Sequence, residues 1–130
     1  MSDVQVSYGP APADTPSQQV VKDANRIVIA IDSRGRKLGI KRMTSGLASF
    51  RLTRILGSDA GNRGVLAQAM LYTAVVSIDG DPVPFPRSEL QLEALIDRLD
   101  LDAFSVVQRV QREEFGVGQS SEEQAEEAKN

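Results

Sequence analysis

The spacing of hydrophobic residues changes several times along the chain, and the first pattern predicts two strands. Residues 27–31 form a short β-branched run, and residues 37–41 alternate between apolar and polar or small side chains. Between them, Asp32 to Gly35 has Asp at the first position and Gly at the fourth, as a type I turn favours. This is the pattern of a β-hairpin with three cations at its tip: Arg34, Arg36 and Lys37. Charges there commonly keep an exposed strand edge polar, so they indicate a surface position with or without a partner.

Helical spacing follows the hairpin. Thr44 or Ser45 can cap a first helix over about 45–56, which Gly57 ends. From Gly64 to Val76 the residues are apolar nearly all round, and this predicts a central, buried helix. The run is shorter than the roughly 20 apolar residues that a bilayer crossing needs, so we predict no membrane span.

Two further helices are predicted in the second half of the chain. Ser88 and Gln91 form a capping-box signature for a third helix. Asp102 can cap a fourth helix, with Leu101 and Val106 placed to pack together as a hydrophobic staple.

The stretch before the third helix contains Asp79, Gly80 and Asp81, followed by three prolines. Proline restricts its own backbone and that of the residue before it, so we predict a tight turn and then an extended limb. Two aspartates lack the remaining oxygen ligands of a calcium loop, and we interpret them as turn formers rather than metal ligands.

Together these elements predict a mostly helical α+β fold, with an N-terminal β-hairpin followed by about four helices and disordered termini. Residues 1–25 are rich in proline and polar residues and are predicted to be a flexible arm. Residues 26–116 are predicted to form a single folded domain, and residues 117–130 an acidic disordered tail.

Composition excludes several kinds of chemistry. The chain has no Cys and no His, which removes thiol nucleophiles, imidazole acid–base catalysis and the usual zinc ligands. No nucleophile elbow, phosphate loop or paired-acid arrangement is recognisable. We therefore expect no enzyme activity, no catalytic residue, no cofactor and no metal. Because no secretory signal is visible, a cytoplasmic location is expected.

Charge is unevenly distributed although the net charge is only -3. Residues 26–63 hold nine Lys or Arg and two Asp, whereas residues 64–130 hold five Lys or Arg and thirteen Asp or Glu. A basic half and an acidic half favour head-to-tail self-association, although two solvated faces without a partner would give the same pattern.

From Arg26 to about Val110, the order and spacing of these elements resemble the tail assembly chaperones of long-tailed bacteriophages. The resemblance is carried by residues 31–38 of the hairpin, by the Ser77–Pro86 stretch and by Ser88–Leu99 after it.

The resemblance implies a non-enzymatic phage tail assembly chaperone that binds the tape measure protein and helps recruit tail tube subunits. Such a protein acts in the cytoplasm of the infected bacterial host and is absent from the mature virion. We expect the partner to bind at hairpin-tip cations, a nearby arginine and two aromatic residues: Arg34, Arg36, Lys37, Arg42, Phe50 and Phe85.

The alternative is a small nucleic-acid-binding or regulatory module that uses the basic 34–63 region against phosphates. A pI near 5.0 argues against nucleic-acid binding, and base stacking is poorly provided for because Phe50 is the region's one aromatic residue. We therefore expect no nucleic-acid partner.

Overall fold

The computed structural model describes Thr15, Pro16, Gln18 and residues 25–117. The predicted flexible arm, 1–25, and acidic tail, 117–130, lie almost wholly outside these residues. In chain order the elements are β1 (Ile27–Ile31), β2 (Lys37–Lys41), α1 (Gly46–Leu56), a 3₁₀ turn (Gly57–Gly61), α2 (Arg63–Thr73), β3 (Val75–Ile78), β4 (Asp81–Pro82) and α3 (Glu89–Glu114). The predicted α+β class is confirmed, and the helices contain more of the described residues than the strands do.

The predicted hairpin is confirmed, and it forms the first half of a four-stranded antiparallel sheet. β1 pairs with β2 from Ile27 opposite Lys41 to Ile31 opposite Lys37. The turn closes where the Gly35 N–H donates to the Asp32 carbonyl at 3.0 Å. The strand order is β1-β2-β3-β4, so α1 and α2 are inserted between two neighbouring strands of one sheet.

The main core lies between the inner face of this sheet and α3. Leu38 and Ile40 alternate inward from β2, and Leu99, Ala103 and Val107 of α3 meet them; all five are fully buried. A smaller core joins the three helices through Leu52, Leu56, Ala69 and Leu92. Because β2 and α3 supply the most deeply buried residues, the sheet and the last helix form the centre of the fold.

The predicted central helix is present and starts at Arg63, but the predicted burial of its first turns and its predicted end at Val76 are wrong. The first turns of α2 are exposed at the surface, and the helix ends at Thr73. Ile40 pairs with Val75, and the Lys41 N–H donates to the Ala74 carbonyl at 2.9 Å. The residues after Thr73 therefore pair with β2 as a strand instead of continuing the helix. β-Branched residues fit a pleated sheet better than a helix, which is why tertiary pairing determines the outcome here.

The count of about four helices is also wrong, because there are three. α3 is one element with a kink at Asp100, whose backbone is non-helical with φ 56° and ψ -169°. Asp102 lies inside the helix rather than at its start, and Leu101 is 71% exposed, so the predicted cap and hydrophobic staple do not form. Neither α3 nor another helix within residues 25–117 is apolar over a length that would cross a bilayer.

Three local predictions are confirmed by hydrogen bonds. The Ser45 hydroxyl caps α1 by accepting from the Ala48 N–H, and the Ser88 hydroxyl caps α3 by accepting from the Gln91 N–H. Asp79 and Gly80 form the predicted tight turn, both with positive φ, 51° and 87°. Two such residues give the type I′ turn whose twist matches paired strands, so β3 continues directly into β4.

Candidate functional site

A groove opens between α1 and the proline-rich limb, residues 83–87, that leads from β4 to α3. It consists of three adjoining cavities of about 600, 210 and 220 Å³, and Phe85 lines all three. We call these cavities together the Phe85 groove. Ile55 of α1, Met70 of α2 and Val76 of β3 contribute apolar, partly buried surface to it. The groove therefore has contributions from four elements, which are in chain order α1, α2, β3 and the limb.

The limb keeps its extended shape for a local reason. Pro84 and Pro86 have fixed φ angles and disfavour helical backbone in the residues before them. At its start, the Val83 N–H donates to the Val76 carbonyl at 2.8 Å, which joins the limb to β3. Phe85 packs partly against the smaller core, and Pro86 is buried. The limb thus forms a fixed wall of the groove.

The charges around the Phe85 groove all have one sign. No Asp or Glu lines the three cavities within the described part of the chain, whereas five cationic residues do: Lys41, Arg42, Arg51, Arg54 and Arg87. Cations in a concave surface reinforce one another's potential, because the low-dielectric walls focus the field. The groove is therefore suited to a partner that presents carboxylates or phosphates beside apolar groups.

Two of these arginines lie over aromatic rings. The Arg51 guanidinium carbon is 5.7 Å from the centre of the Phe85 ring, and that of Arg54 is 5.8 Å from the Phe50 ring. Contacts of this kind contribute about 0.5–1 kcal/mol each at exposed sites. They hold the guanidinium groups at the rim, where donors remain directed to solvent or to a partner.

A second group of charges joins the β1–β2 turn to the kink of α3, and we call it the turn–helix network. The buried Asp32 carboxylate accepts from Arg36 Nε at 2.8 Å and from the N–H groups of Arg34 and Arg36 at 3.0 and 2.9 Å. The remaining Arg36 nitrogens donate to the carbonyls of Arg98 and Leu99, both at 2.8 Å. Arg36 therefore satisfies backbone acceptors that the kink leaves unpaired.

The same network includes Arg34. Its side chain contacts Asp102 at 2.7 Å and Asp100 at 3.3 Å, and the Ser33 hydroxyl also donates to Asp102. These ion pairs are partly exposed, so they contribute less to stability than the buried pair of Asp32 and Arg36.

Hydrogen bonding changes the acidity of two carboxyls in the turn–helix network. Burial alone raises the pKa of Asp32, but the hydrogen bonds from Arg36 and Arg34 outweigh it and leave that pKa below its usual value. The hydrogen bond from Ser33, reinforced by Arg34, lowers the pKa of Asp102. Both carboxylates are thus held in the charged form in the folded protein.

The six residues predicted to bind a partner divide between different surfaces. Arg42 and Phe85 line the Phe85 groove, and Phe50 lies beside it under Arg54. Arg34 and Arg36 belong to the turn–helix network, while Lys37 is exposed on the far side of the sheet. The expectation that all hairpin-tip charges face solvent or a partner is wrong for Arg36, whose side chain is only 16% exposed.

Three groove arginines, Arg51, Arg54 and Arg87, are absent from the predicted set. The sequence does contain a signal for two of them, because Arg51 and Arg54 are three residues apart and lie on one side of a helix. Their approach to Arg87 depends on packing over more than 30 residues of chain, which no local pattern specifies.

The outer face of the sheet carries a second apolar surface. Ile27, Ile29 and Ile31 point away from the core and are 51%, 60% and 58% exposed. Gly39 lies between them and β3, and a Cβ atom there would be 2.2 Å from the Ser77 hydroxyl oxygen. The absence of a side chain at Gly39 thus permits the close approach of Ser77 across the sheet. On the edge strand β1, the three isoleucines form an exposed row, which we call the isoleucine row.

Within residues 25–117 no three carboxylates are grouped to hold a metal ion. Asp79 instead accepts from the Lys37 N–H at 2.9 Å, which fixes the β3–β4 turn beside β2. No protein-family model, curated protein or solved structure matches the chain.

Proposed function

We propose that this protein is a non-enzymatic phage tail assembly chaperone that binds a segment of the tape measure protein in the Phe85 groove and helps recruit tail tube subunits. The observation that carries the proposal is a groove with apolar walls and five cations, lined by no carboxylate within the described residues. Such a surface is suited to an amphipathic segment whose acidic side chains flank an apolar stripe.

The two kinds of surface have different roles in this proposal. Ile55, Met70 and Phe85 supply apolar area, which contributes affinity when a partner side chain excludes water. Arg51, Arg54 and Arg87 lie at the rim, where charge accelerates the encounter and sets the register of the bound segment. A chaperone that must later release its partner benefits from a rim of this kind, because exposed charge contacts contribute little affinity in physiological salt.

Acting in the cytoplasm of the infected host, and absent from the finished virion, such a protein would cover the tape measure until tube subunits replace it. Self-association along a long tape measure is part of the proposal, and the unequal charges of the two halves favour it.

Co-expression and pull-down with the tape measure segment encoded beside it test the proposal. In low-salt buffer, Arg51→Glu with Arg54→Glu should reduce capture at least about tenfold, because two attractive contacts become repulsive and are weakly screened. Arg109→Glu with Arg112→Glu is the matched control, since these two exposed arginines of α3 have the same spacing and change the net charge equally. Equal loss in both variants, or loss in neither, would contradict binding in the groove.

Nucleic-acid binding is the second candidate, and the five cations that line the Phe85 groove favour it. Duplex DNA and single-stranded RNA belong in the same assay at physiological salt. Retention of nucleic acid without retention of the tape measure segment would make this candidate the better one. A steep fall of that retention with salt would identify phosphate contacts as its source.

A further inference from the structure

The described chain ends at Val117, just after α3, and the last turn of α3 bonds to residues that line the Phe85 groove. The Val117 N–H donates to the Gln111 carbonyl at 2.8 Å, which turns the chain back along α3. The buried Gln111 side chain donates to the Lys41 carbonyl at 2.6 Å and accepts from the Met43 N–H at 3.0 Å. Lys41 and Met43 line one cavity of the groove, so these bonds join the last turn of α3 to part of the groove's lining.

The sequence after Val117 is acidic, whereas no acidic residue of the described chain lines the groove. Among the thirteen residues 118–130 are Glu122, Glu123, Glu126 and Glu127, with Lys129 as the one cation. Glu122 and Glu126 are four residues apart, and so are Glu123 and Glu127. This spacing would place all four glutamates on one side of a helix, and in an extended chain they could still contact the groove. Thirteen extended residues span about 40 Å, which is ample for the length of the groove.

We propose that the acidic segment 119–127 binds in the Phe85 groove of its own molecule, with its glutamates against Arg51, Arg54 and Arg87, and that a partner must displace it. The displacement rests on the proposed function, because it requires that the partner use the same groove. Binding of the segment itself depends only on the charges, the groove and the position of Val117, and it is measurable without a partner.

The tether makes this occupant favoured over a second copy of the chain. A segment joined by a short linker has an effective concentration of about 1 mM, well above the usual concentration of free protein. The isoleucine row on the outer sheet is a poorer site for it, since Arg26 beside the row is already paired with Glu114 and the segment has no large apolar side chain to cover the isoleucines. With a local dissociation constant of about 0.1 mM, the segment would weaken partner binding roughly tenfold.

Paramagnetic NMR of the full chain tests the contact directly. The absence of cysteine means that Ser121→Cys can carry a single spin label. At low salt we expect the label to broaden the amide signals of Arg51, Arg54 and Arg87, and we expect 0.5 M salt to restore them. Replacing all four glutamates by glutamine should also restore those signals.

A charge-matched control separates the segment from the overall charge. Asp81→Asn, Glu89→Gln, Glu93→Gln and Asp97→Asn remove four exposed carboxylates elsewhere and should leave the broadening unchanged. Broadening centred on Ile27, Ile29 and Ile31, or broadening that persists in the four-glutamine variant, would overturn the proposal. So would an absence of broadening at low salt.

Partner capture then distinguishes this inference from the proposed function. If both hold, the four-glutamine variant binds the tape measure segment about tenfold more tightly than the unmodified chain. Broadening in the groove without any tape measure capture would leave the intramolecular contact standing and remove the proposed function. Capture of the tape measure segment without broadening in the groove would leave the proposed function standing and remove the intramolecular contact.

Discussion

At the scale of single residues, the Asp32–Arg36 pair has the largest structural role among the charged side chains. Arg36→Gln should lower the free energy of unfolding by about 3 kcal/mol, because it leaves a buried carboxylate without its cation. Lys37→Gln is the control, since the neighbouring Lys37 side chain is exposed. Urea denaturation followed by circular dichroism measures both. Equal, small changes in the free energy of unfolding of both variants would mean that the Asp32–Arg36 pair contributes little to stability.

Asp32, together with Asp102, also determines how the stability of the protein changes in acid. The folded-state pKa values of Asp32 and Asp102 lie below their usual range, so the unfolded chain binds protons at these carboxyls first as the pH falls. Their stabilisation is present above about pH 4 and is lost progressively below it, as the pH falls through the lowered pKa values. Asp32→Asn should reduce the slope of stability against pH in this range. An unchanged slope in thermal melts between pH 2.5 and 5 would contradict this.

At the scale of elements, the two faces of the sheet should respond oppositely to substitution. Leu38 is fully buried between the sheet and α3, and Leu38→Ala should cost about 2–5 kcal/mol through lost contacts and a cavity. Ile29 is 60% exposed on the edge strand, and Ile29→Thr should change stability by less than about 1 kcal/mol. Chemical denaturation of both variants checks this; a large loss with Ile29→Thr would mean that the outer face is covered.

The turns and helix caps that depend on neighbouring residues could be predicted from the sequence. The β1–β2 turn, the caps at Ser45 and Ser88 and the Asp79–Gly80 turn each depend on residues within four positions of one another. The end of α2 could not be predicted, because β2 pairs with Val75 across more than 30 residues of chain. The kink in α3 likewise depends on Arg36 from the distant hairpin, which bonds to the carbonyls on its N-terminal side.

The candidate site was only partly predictable for the same reason. Arg42, Phe50 and Phe85 could be selected because exposed cations and aromatic residues commonly mark partner surfaces. Arg34 and Arg36 have the same sequence signal but are used within the molecule. Only the packed structure distinguishes a cation that bonds a helix carbonyl from one that faces a groove.

At the scale of the whole molecule, the Phe85 groove and the exposed face of the N-terminal half of α3 have opposite charges. Glu89, Glu93 and Asp97 are exposed on α3, so the groove of one copy can attract the α3 face of another. We therefore predict head-to-tail association of the free protein that weakens as salt is raised, because exposed charges are screened over about 8 Å at physiological ionic strength.

Analytical ultracentrifugation at several protein concentrations measures this association. Since segment 119–127 is expected to occupy the groove at an effective concentration of about 1 mM, another copy competes only as the protein concentration approaches that value. Arg51→Glu with Arg54→Glu should abolish the association, whereas Arg109→Glu with Arg112→Glu should preserve it. A monomer at every salt concentration would contradict head-to-tail contact. Oligomers that resist salt would instead indicate an apolar interface, for which the row of Ile27, Ile29 and Ile31 is the exposed surface available.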